Sequence, residues 1–187
     1  VSVIENNKDY DLDIVKSNNL KTNFSDYNLV ILHSISKESI QIIDDISDEN
    51  IPLLIFPKQE LNLYSKLIPN INFNRRSYNN EVFPKINDNF LSFKISKDVE
   101  EMINLSPPIL TSFGFYNSSP LINPIAYQKY ANTITESPLF FFDNYNSNKV
   151  GVFLGEGYWR WKINDFKLND SFENFNELIN KVLQYLI

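Results

Sequence analysis

Residues 155–161 concentrate the side chains that are best suited to binding or reacting with a ligand. The segment runs Gly-Glu-Gly-Tyr-Trp-Arg-Trp and holds both tryptophans, one of three arginines and two of only four glycines. Two glycines allow a tight turn that presents the Glu156 carboxylate, and indole faces beside Arg160 suit a planar or anionic group. The structural alternative is that the indoles fill the gap between the sheet and the last helix, while Glu156 pairs with Arg160 or caps the next turn.

His33 and Ser34 form a second candidate site, at the end of an apolar stretch. His33 is the only histidine, so a mechanism that needs two imidazoles is excluded. A serine, a histidine and an acid together suit acyl transfer. However, neighbouring side chains on a strand point to opposite faces, and no nucleophile-elbow motif surrounds Ser34. We therefore interpret His33 as a hydrogen-bonded residue at the rim of a pocket.

A metal site is not expected. Asp9, Asp11 and Asp13 alternate, so they would share one face of a strand, as ligands of a hard cation do. Position 14 is isoleucine rather than the glycine of a calcium loop, and we interpret the three carboxylates as a solvated edge. The chain has no cysteine, which excludes thiol nucleophiles, disulfides and thiolate metal sites. No cofactor is predicted.

The composition is that of one folded domain covering residues 1–187. Hydrophobic residues make up 43% and charged residues 21%, close to globular averages. The net charge of −6 repels nucleic acids and anionic membrane surfaces, and the longest apolar runs are too short for a transmembrane segment. Because the chain starts at Val1 and ends within an apolar periodicity at Ile187, we expect a piece of a longer protein.

The first third alternates between strand and helix patterns. Residues 10–15, 27–33 and 51–56 have the apolar patterns of strands. Isoleucines at helical spacing around Ile43, and residues 59–67, predict helices after the second and third strands. This rhythm is typical of a parallel sheet covered on both faces.

The middle of the chain, approximately residues 70–137, departs from this rhythm. Its short extended stretches predict an antiparallel insertion or edge extension, interrupted by a short helix over 97–104. Residues 139–142 and 150–154 predict a hairpin, and an apolar stripe over 172–186 predicts a closing helix.

Three stretches of sequence resemble a known family. In chain order they are SDYNLVILH at 25–33, IPLLIFPKQ at 51–59 and GVFLGEG at 151–157. Together they are similar to a class I glutamine amidotransferase domain, and in particular to the amidotransferase-like domain of large Bacteroidetes membrane proteins that also carry a von Willebrand factor A domain. There a G-E-G-x-W-R-W segment precedes a helix resembling residues 175–186. The resemblance implies a three-layer, flavodoxin-like α/β fold with a mostly parallel sheet.

The catalytic triad of that enzyme family is not retained. Its cysteine would fall on Phe56 or Pro57, and its histidine on Leu154, so only Glu156 of the triad remains. A glutamate cannot activate a nucleophile that is absent, so glutamine hydrolysis by the usual triad is excluded.

The sequence therefore predicts a non-catalytic, amidotransferase-like binding or interaction module of a larger membrane-anchored bacterial protein, with the periplasmic side favoured. Its expected partners are other domains of the parent, a separate protein or a small polar ligand. The predicted crevice is lined by His33, Ser34, Phe56, Lys58, Gln59, Glu156, Trp159 and Arg160. Two alternatives stay open: a hydrolase with Glu156 as general base and His33 as acid, and a structural spacer whose tryptophans are core.

Overall fold

The computed structural model describes residues 2–16, 23–35, 40–47, 49–145 and 148–187; Val1 lies outside them. Five α-helices and seven strands occur in these ranges. The helices are α1 (Ser2–Glu5), α2 (Gln41–Ser47), α3 (Lys97–Asn104), α4 (Trp159–Asn169) and α5 (Glu173–Leu186). The strands are β1 (Val30–His33), β2 (Leu53–Phe56), β3 (Ile71–Ile86), β4 (Ile109–Ser118), β5 (Asn123–Tyr130), β6 (Thr133–Tyr145) and β7 (Asn148–Phe153).

The described strands form one mixed sheet in the order β1-β2-β7-β6-β5-β3-β4. Only β1, β2 and β7 are parallel neighbours, and every other pairing is antiparallel. The predicted three-layer, flavodoxin-like fold with a mostly parallel sheet is therefore wrong. Of the alternation predicted for the first third, the structure has β1, α2 and β2, and the helix predicted over 59–67 is a short 3-10 helix, Leu61–Tyr64. Strands β3, β4 and β5, within residues 70–137, lie together at one end of the sheet and pair in antiparallel fashion.

The sheet curls into a half-barrel. Strand β4 lies at the edge opposite β1, yet Leu110 on β4 exchanges backbone hydrogen bonds with Glu156, just after β7, at 3.0 and 2.8 Å. The Gly155 amide also donates to the carbonyl of Lys58 at 2.9 Å. Because β4 can meet the ends of β2 and β7 only if the far half of the sheet folds back, these bonds close the curl.

The core lies where both faces of the sheet are covered. Leu53, Leu54 and Ile55 of β2 are all buried, as are four consecutive residues of β6, 139–142. Unbroken burial of this kind requires packing on both faces of a strand. Helix α5 contacts α1, α3, α4 and β7, so it joins the helices to the sheet.

Several sequence predictions of individual elements can be compared with the structure. The helix over 97–104 is confirmed to the residue, and the hairpin of β6 and β7 is confirmed. Residues 10–15 contain no regular secondary structure, so the strand predicted there is wrong. Helix α4 was not predicted, because its apolar residues Ile163 and Phe166 are exposed while Asp165 is fully buried, which removes the usual amphipathic pattern.

Asp143 on β6 is a fully buried carboxyl group with only one of its oxygens paired. Its Oδ1 accepts a hydrogen bond from Asn70 Nδ2 at 2.7 Å, whereas Oδ2 has no partner among the described residues. Burial raises the pKa of Asp143 above its ordinary value of 3.8, and hydrogen bonding by Asn70 and by the Asn144 backbone opposes this only in part. The ionised group therefore opposes folding at neutral pH.

We expect Asp143→Asn to raise the free energy of unfolding at pH 7 by about 1 kcal/mol, because it removes a poorly solvated charge while keeping an acceptor for Asn70. The raised pKa means that the folded chain holds the proton more tightly than the unfolded chain. The neutral carboxyl therefore stabilises the fold fully at pH values below the pKa of Asp143 in the unfolded chain. This stabilisation is lost as the pH rises through the pKa of Asp143 in the folded chain. Urea unfolding at several pH values should show the advantage of the variant shrinking as pH falls toward about 4.

Asp165 provides the matched control for this prediction. It is equally buried, but Oδ1 accepts from the Asn169 and Asn174 amides at 2.9 and 3.0 Å, and Oδ2 accepts from the Phe175 backbone amide at 2.9 Å. Asp165→Asn should therefore lower stability by about 1–3 kcal/mol. A loss of stability in Asp143→Asn at pH 7 would contradict the prediction.

Candidate functional site

The polar residues singled out from sequence meet at one edge of the parallel part of the sheet. His33 ends β1 and is followed by Ser34, Lys58 and Gln59 follow β2, and Glu156 follows β7. The carboxyl ends of adjacent parallel strands share one edge, which is where open α/β sheets bind ligands. We call His33, Ser34, Lys58, Gln59 and Glu156 the edge cluster.

The backbone turns sharply after each of these three strands. Ser34 and Lys58 have φ values of 57° and 51°, and Gly155 and Gly157 have φ values of 86° and 112°. The left-handed region costs a residue with a Cβ about 1–2 kcal/mol, so two non-glycine residues are held there by the surrounding structure. Such local strain is common in ligand-binding segments.

Ser34 and His33 contact each other, contrary to the expectation that their side chains point to opposite faces. The distance between Ser34 Oγ and His33 Nδ1 is 3.2 Å. The expectation was wrong because Ser34 has left the extended conformation of β1, and its positive φ turns the hydroxyl toward the imidazole. The sign of φ at a serine cannot be deduced from the residue type.

The surroundings of His33 favour the neutral form of its imidazole by lowering its pKa. Partial burial is the main factor that lowers the pKa of His33, the Lys58 ammonium lowers it further, and the Glu156 carboxylate opposes both. The His33 ring lies 5.7 Å from the Phe56 ring, which is stacked on Phe153 at 5.0 Å. Phe56 is thus an apolar support beneath the edge cluster, while the imidazole retains access to solvent.

Glu156 is fixed from several directions. Its backbone is paired with Leu110, and Oε1 lies 3.4 Å from Gln59 Nε2. Gln59 is itself held by two hydrogen bonds with Asn79. The side-chain oxygen of Asn79 accepts from Gln59 Nε2 at 2.8 Å, and the backbone amide of Asn79 donates to Gln59 Oε1 at 2.9 Å. Sequence reasoning missed Leu110 and Asn79, because only the curl of the sheet brings β3 and β4 to this edge.

Arg160 does not pair with Glu156, since the ion pairs among the described residues join other side chains. Its guanidinium packs instead over the backbone of Gly157, where an added Cβ would lie 2.5 Å from the nearest guanidinium nitrogen. This contact explains the glycine at position 157, and it corrects the structural alternative in which Glu156 pairs with Arg160.

The two tryptophans have opposite environments. Trp159, at the start of α4, is 66% exposed. Trp161 is completely buried, stacks edge-on against Tyr158 at 4.9 Å and donates from Nε1 to the carbonyl of Pro107 at 3.0 Å. The spacer alternative, with both tryptophans in the core, thus describes Trp161 but not Trp159.

The structure therefore brings together six of the eight predicted site residues, namely Phe56 and the edge cluster, and places Trp159 and Arg160 on α4. The cluster offers a cation, a carboxylate, a hydroxyl, an amide and an imidazole. Across the described residues there is no group of three or more histidine or carboxylate side chains placed to hold a metal ion. Equally, none of the helices described is long and apolar enough to cross a membrane.

Comparisons with solved structures identify a similar fold. "Cytoplasmic Protein STM1381 from Salmonella typhimurium LT2" aligns with a TM-score of 0.60 and 12% identity, over 96% of this chain and 84% of that one. The "mmIFT52 N-terminal domain" aligns with a TM-score of 0.46 and 10% identity, over 93% and 81% of the two chains. No family model and no curated protein matches the sequence.

The first similarity supports the curled mixed sheet with helices over nearly the whole chain, and so the correction of the flavodoxin-like prediction. At 12% identity it shows the fold alone, and the second TM-score is too low to carry an argument. The resemblance to amidotransferase-like domains stays a prediction.

Proposed function

We propose that this domain is a non-catalytic binding module whose edge cluster holds a small polar ligand. The observation that carries the proposal is the convergence of five polar side chains at the carboxyl ends of three parallel strands, on a backbone fixed by left-handed turns and by the pairing of Glu156 with Leu110. A preformed polar site of this kind loses little conformational entropy when a ligand binds.

The charges of the edge cluster indicate the chemistry of the ligand. Lys58 offers an ammonium to an anionic group, and Glu156 offers a carboxylate to a cationic or hydrogen-bond-donating group. Ser34 supplies a hydroxyl and Gln59 supplies an amide, both of which are neutral. A small zwitterion, such as a free amino acid, matches this combination. The proposal keeps the context that the resemblance implies, a larger membrane-anchored protein whose other domains are partners.

A thermal-shift screen of free amino acids, nucleotides, sugars and cell-wall fragments tests this function. A ligand at 100 times its Kd adds about 2.7 kcal/mol, which raises Tm by about 5–10 °C for a chain of this length. We expect amino acids to give the shift, and Glu156→Gln to remove it. Glu136→Gln makes the same charge change at an exposed position on β6 and should leave the shift intact. No shift with any class would contradict a small-molecule site.

A hydrolase is the second candidate, because Ser34 Oγ lies 3.2 Å from His33 Nδ1, and the pKa of that imidazole is lowered. In that case Ser34 Oγ would attack an acyl carbon while its proton passes to His33, which would donate it to the leaving group as the original acyl bond breaks. Water would then hydrolyse the acyl-serine ester and release the acid. A fluorophosphonate probe distinguishes the two functions. If the probe labels the wild type and not Ser34→Ala, the non-catalytic proposal is wrong and Ser34 is the nucleophile. If the wild type shows hydrolytic turnover that is lost in Glu156→Gln, Glu156 is the general base instead. We expect neither labelling nor turnover.

A further inference from the structure

A second concave surface lies at the end of the β3–β4 ribbon that is remote from Leu110. It lies between the β3–β4 strand pair and the short 3-10 helix Leu61–Tyr64 and is open to solvent. Its volume is about 370 Å³, within the usual range for small-molecule sites. We call it the amide cleft, after the residues that give it its chemistry: Asn62, Asn72, Asn74, Asn117 and the ring of Phe115.

The pairing of β3 with β4 fixes the wall of the amide cleft. Asn72 lies directly opposite Asn117, and Asn74 lies directly opposite Phe115. Side chains of directly opposed residues share one face of a sheet. Phe73, between the two asparagines on β3, is buried, so Asn72 and Asn74 both belong to the outer face. Three amides and one aromatic ring are thus held side by side.

The side chains of Asn72, Asn74 and Asn117 are exposed to solvent. Among the described residues, no hydrogen bond involves the side-chain amides of Asn72, Asn74 or Asn117, while Asn62 donates to the carbonyl of Phe73 at 3.0 Å. Each free amide offers two donors and one acceptor. Asparagine supplies 27 of the 187 residues of the chain but four of the nine residues that line the cleft. None of the nine is charged, although 21% of the chain is.

Phe115 adds an apolar surface. Its side chain is 64% exposed, and the Arg76 guanidinium lies over its ring at 5.3 Å from the centroid, a cation–π contact that orients the ring. Leu61 and Ile71 are the buried aliphatic residues of the lining. The nine lining residues carry no charge, and the nearby Arg76 lies over the Phe115 ring, so the fitting ligand carries several hydroxyl or amide groups, has one apolar face and needs no charge of its own.

We propose that the amide cleft binds a neutral carbohydrate. A pyranose ring has hydroxyl groups around its edge, which suit the amides of Asn72, Asn74 and Asn117, and a face of C–H groups, which suits the ring of Phe115. This site is independent of the edge cluster.

A glycan array that carries neutral hexose and N-acetylhexosamine oligosaccharides beside sialylated and sulfated ones tests the proposal with the whole chain. We expect neutral glycans alone to bind. Titration with the best neutral oligosaccharide should show at least tenfold weaker binding for Phe115→Ala, which removes the apolar face, and for Asn72→Asp, which removes a donor and adds a charge. Both positions are exposed, so circular dichroism should show folded variants.

Two variants complete the experiment. Tyr78→Ala removes another exposed ring on β3, outside the cleft, and should bind the glycan as the wild type does. Glu156→Gln should also bind normally, which separates this site from the edge cluster. The proposal is overturned if no neutral glycan binds, or if binding survives both cleft substitutions.

Discussion

Trp161→Ala is expected to lower the free energy of unfolding by about 3–5 kcal/mol, the usual cost of truncating a fully buried large aromatic residue. The indole of Trp161 is inaccessible to solvent, and its Nε1 bonds the carbonyl of Pro107 just before β4. The truncation therefore leaves a cavity beneath α4 and also leaves that carbonyl without its partner. Urea denaturation followed by far-UV circular dichroism measures the change.

The neighbouring tryptophan is the control. Trp159 belongs to the same helix, but two thirds of its surface is exposed, so Trp159→Ala should cost less than about 1 kcal/mol. Trp161→Phe should fall between the two, because it keeps part of the volume and loses the hydrogen bond. Equal losses for Trp159→Ala and Trp161→Ala would show that the two indoles are buried alike and would contradict the placement of α4.

Gly155→Ala is the second substitution with a large expected effect, about 3 kcal/mol or more. An alanine there is strained, because φ is 86°, and its Cβ would lie 2.5 Å from the backbone oxygen of Leu110 and 2.6 Å from Ile109 Cγ2. The backbone oxygen cannot move without breaking the pairing of Leu110 with Glu156. The cost therefore adds overpacking to conformational strain, each about 1–3 kcal/mol.

Gly157→Ala separates the two contributions. Its φ of 112° makes alanine strained as well, but the nearest obstacle is the end of the Arg160 side chain, which can move aside. We expect a loss of about 1–3 kcal/mol, smaller than that of Gly155→Ala. Gly155→Ala should also abolish binding at the edge cluster, because it displaces Glu156. A Gly155→Ala variant as stable as the wild type would mean that β4 does not close against the end of β7.

The elements that the sequence predicts well are those that depend on local pattern. The apolar runs of β1 and β2 are evident, and α3 has both helical spacing and an N-cap, Ser96, whose Oγ accepts from the Val99 amide at 3.4 Å. Helix α4 could not be predicted from pattern, because the exposed Ile163 and the buried Asp165 reverse the usual amphipathic rule. The fold class was wrong because short runs of apolar residues do not distinguish parallel from antiparallel neighbours.

The same division applies to the edge cluster. His33, Lys58 and Glu156 could be predicted because each lies at or just after the end of an apolar strand, and the strand ends of one parallel sheet meet. The contact of Ser34 with His33 depends on the sign of one backbone angle. The pairing of Glu156 with Leu110 depends on the curl of the whole sheet. Neither leaves a signal in the local pattern of residue types.

The position of β7 between β2 and β6 has a consequence for the order in which the chain folds. Strands β3 to β6 precede β7 in sequence, and their antiparallel pairings close shorter loops than the ladder of Leu54 with Gly151 does. Local pairings form fast, and distant ones form late because their loop-closure entropy is paid first. During synthesis, one edge of β2 therefore stays unpaired until β7 has been made, and only then can the first third of the chain complete its part of the sheet. We therefore expect the edge cluster to be assembled last, so that a ligand bound there holds together the early and late parts of the chain.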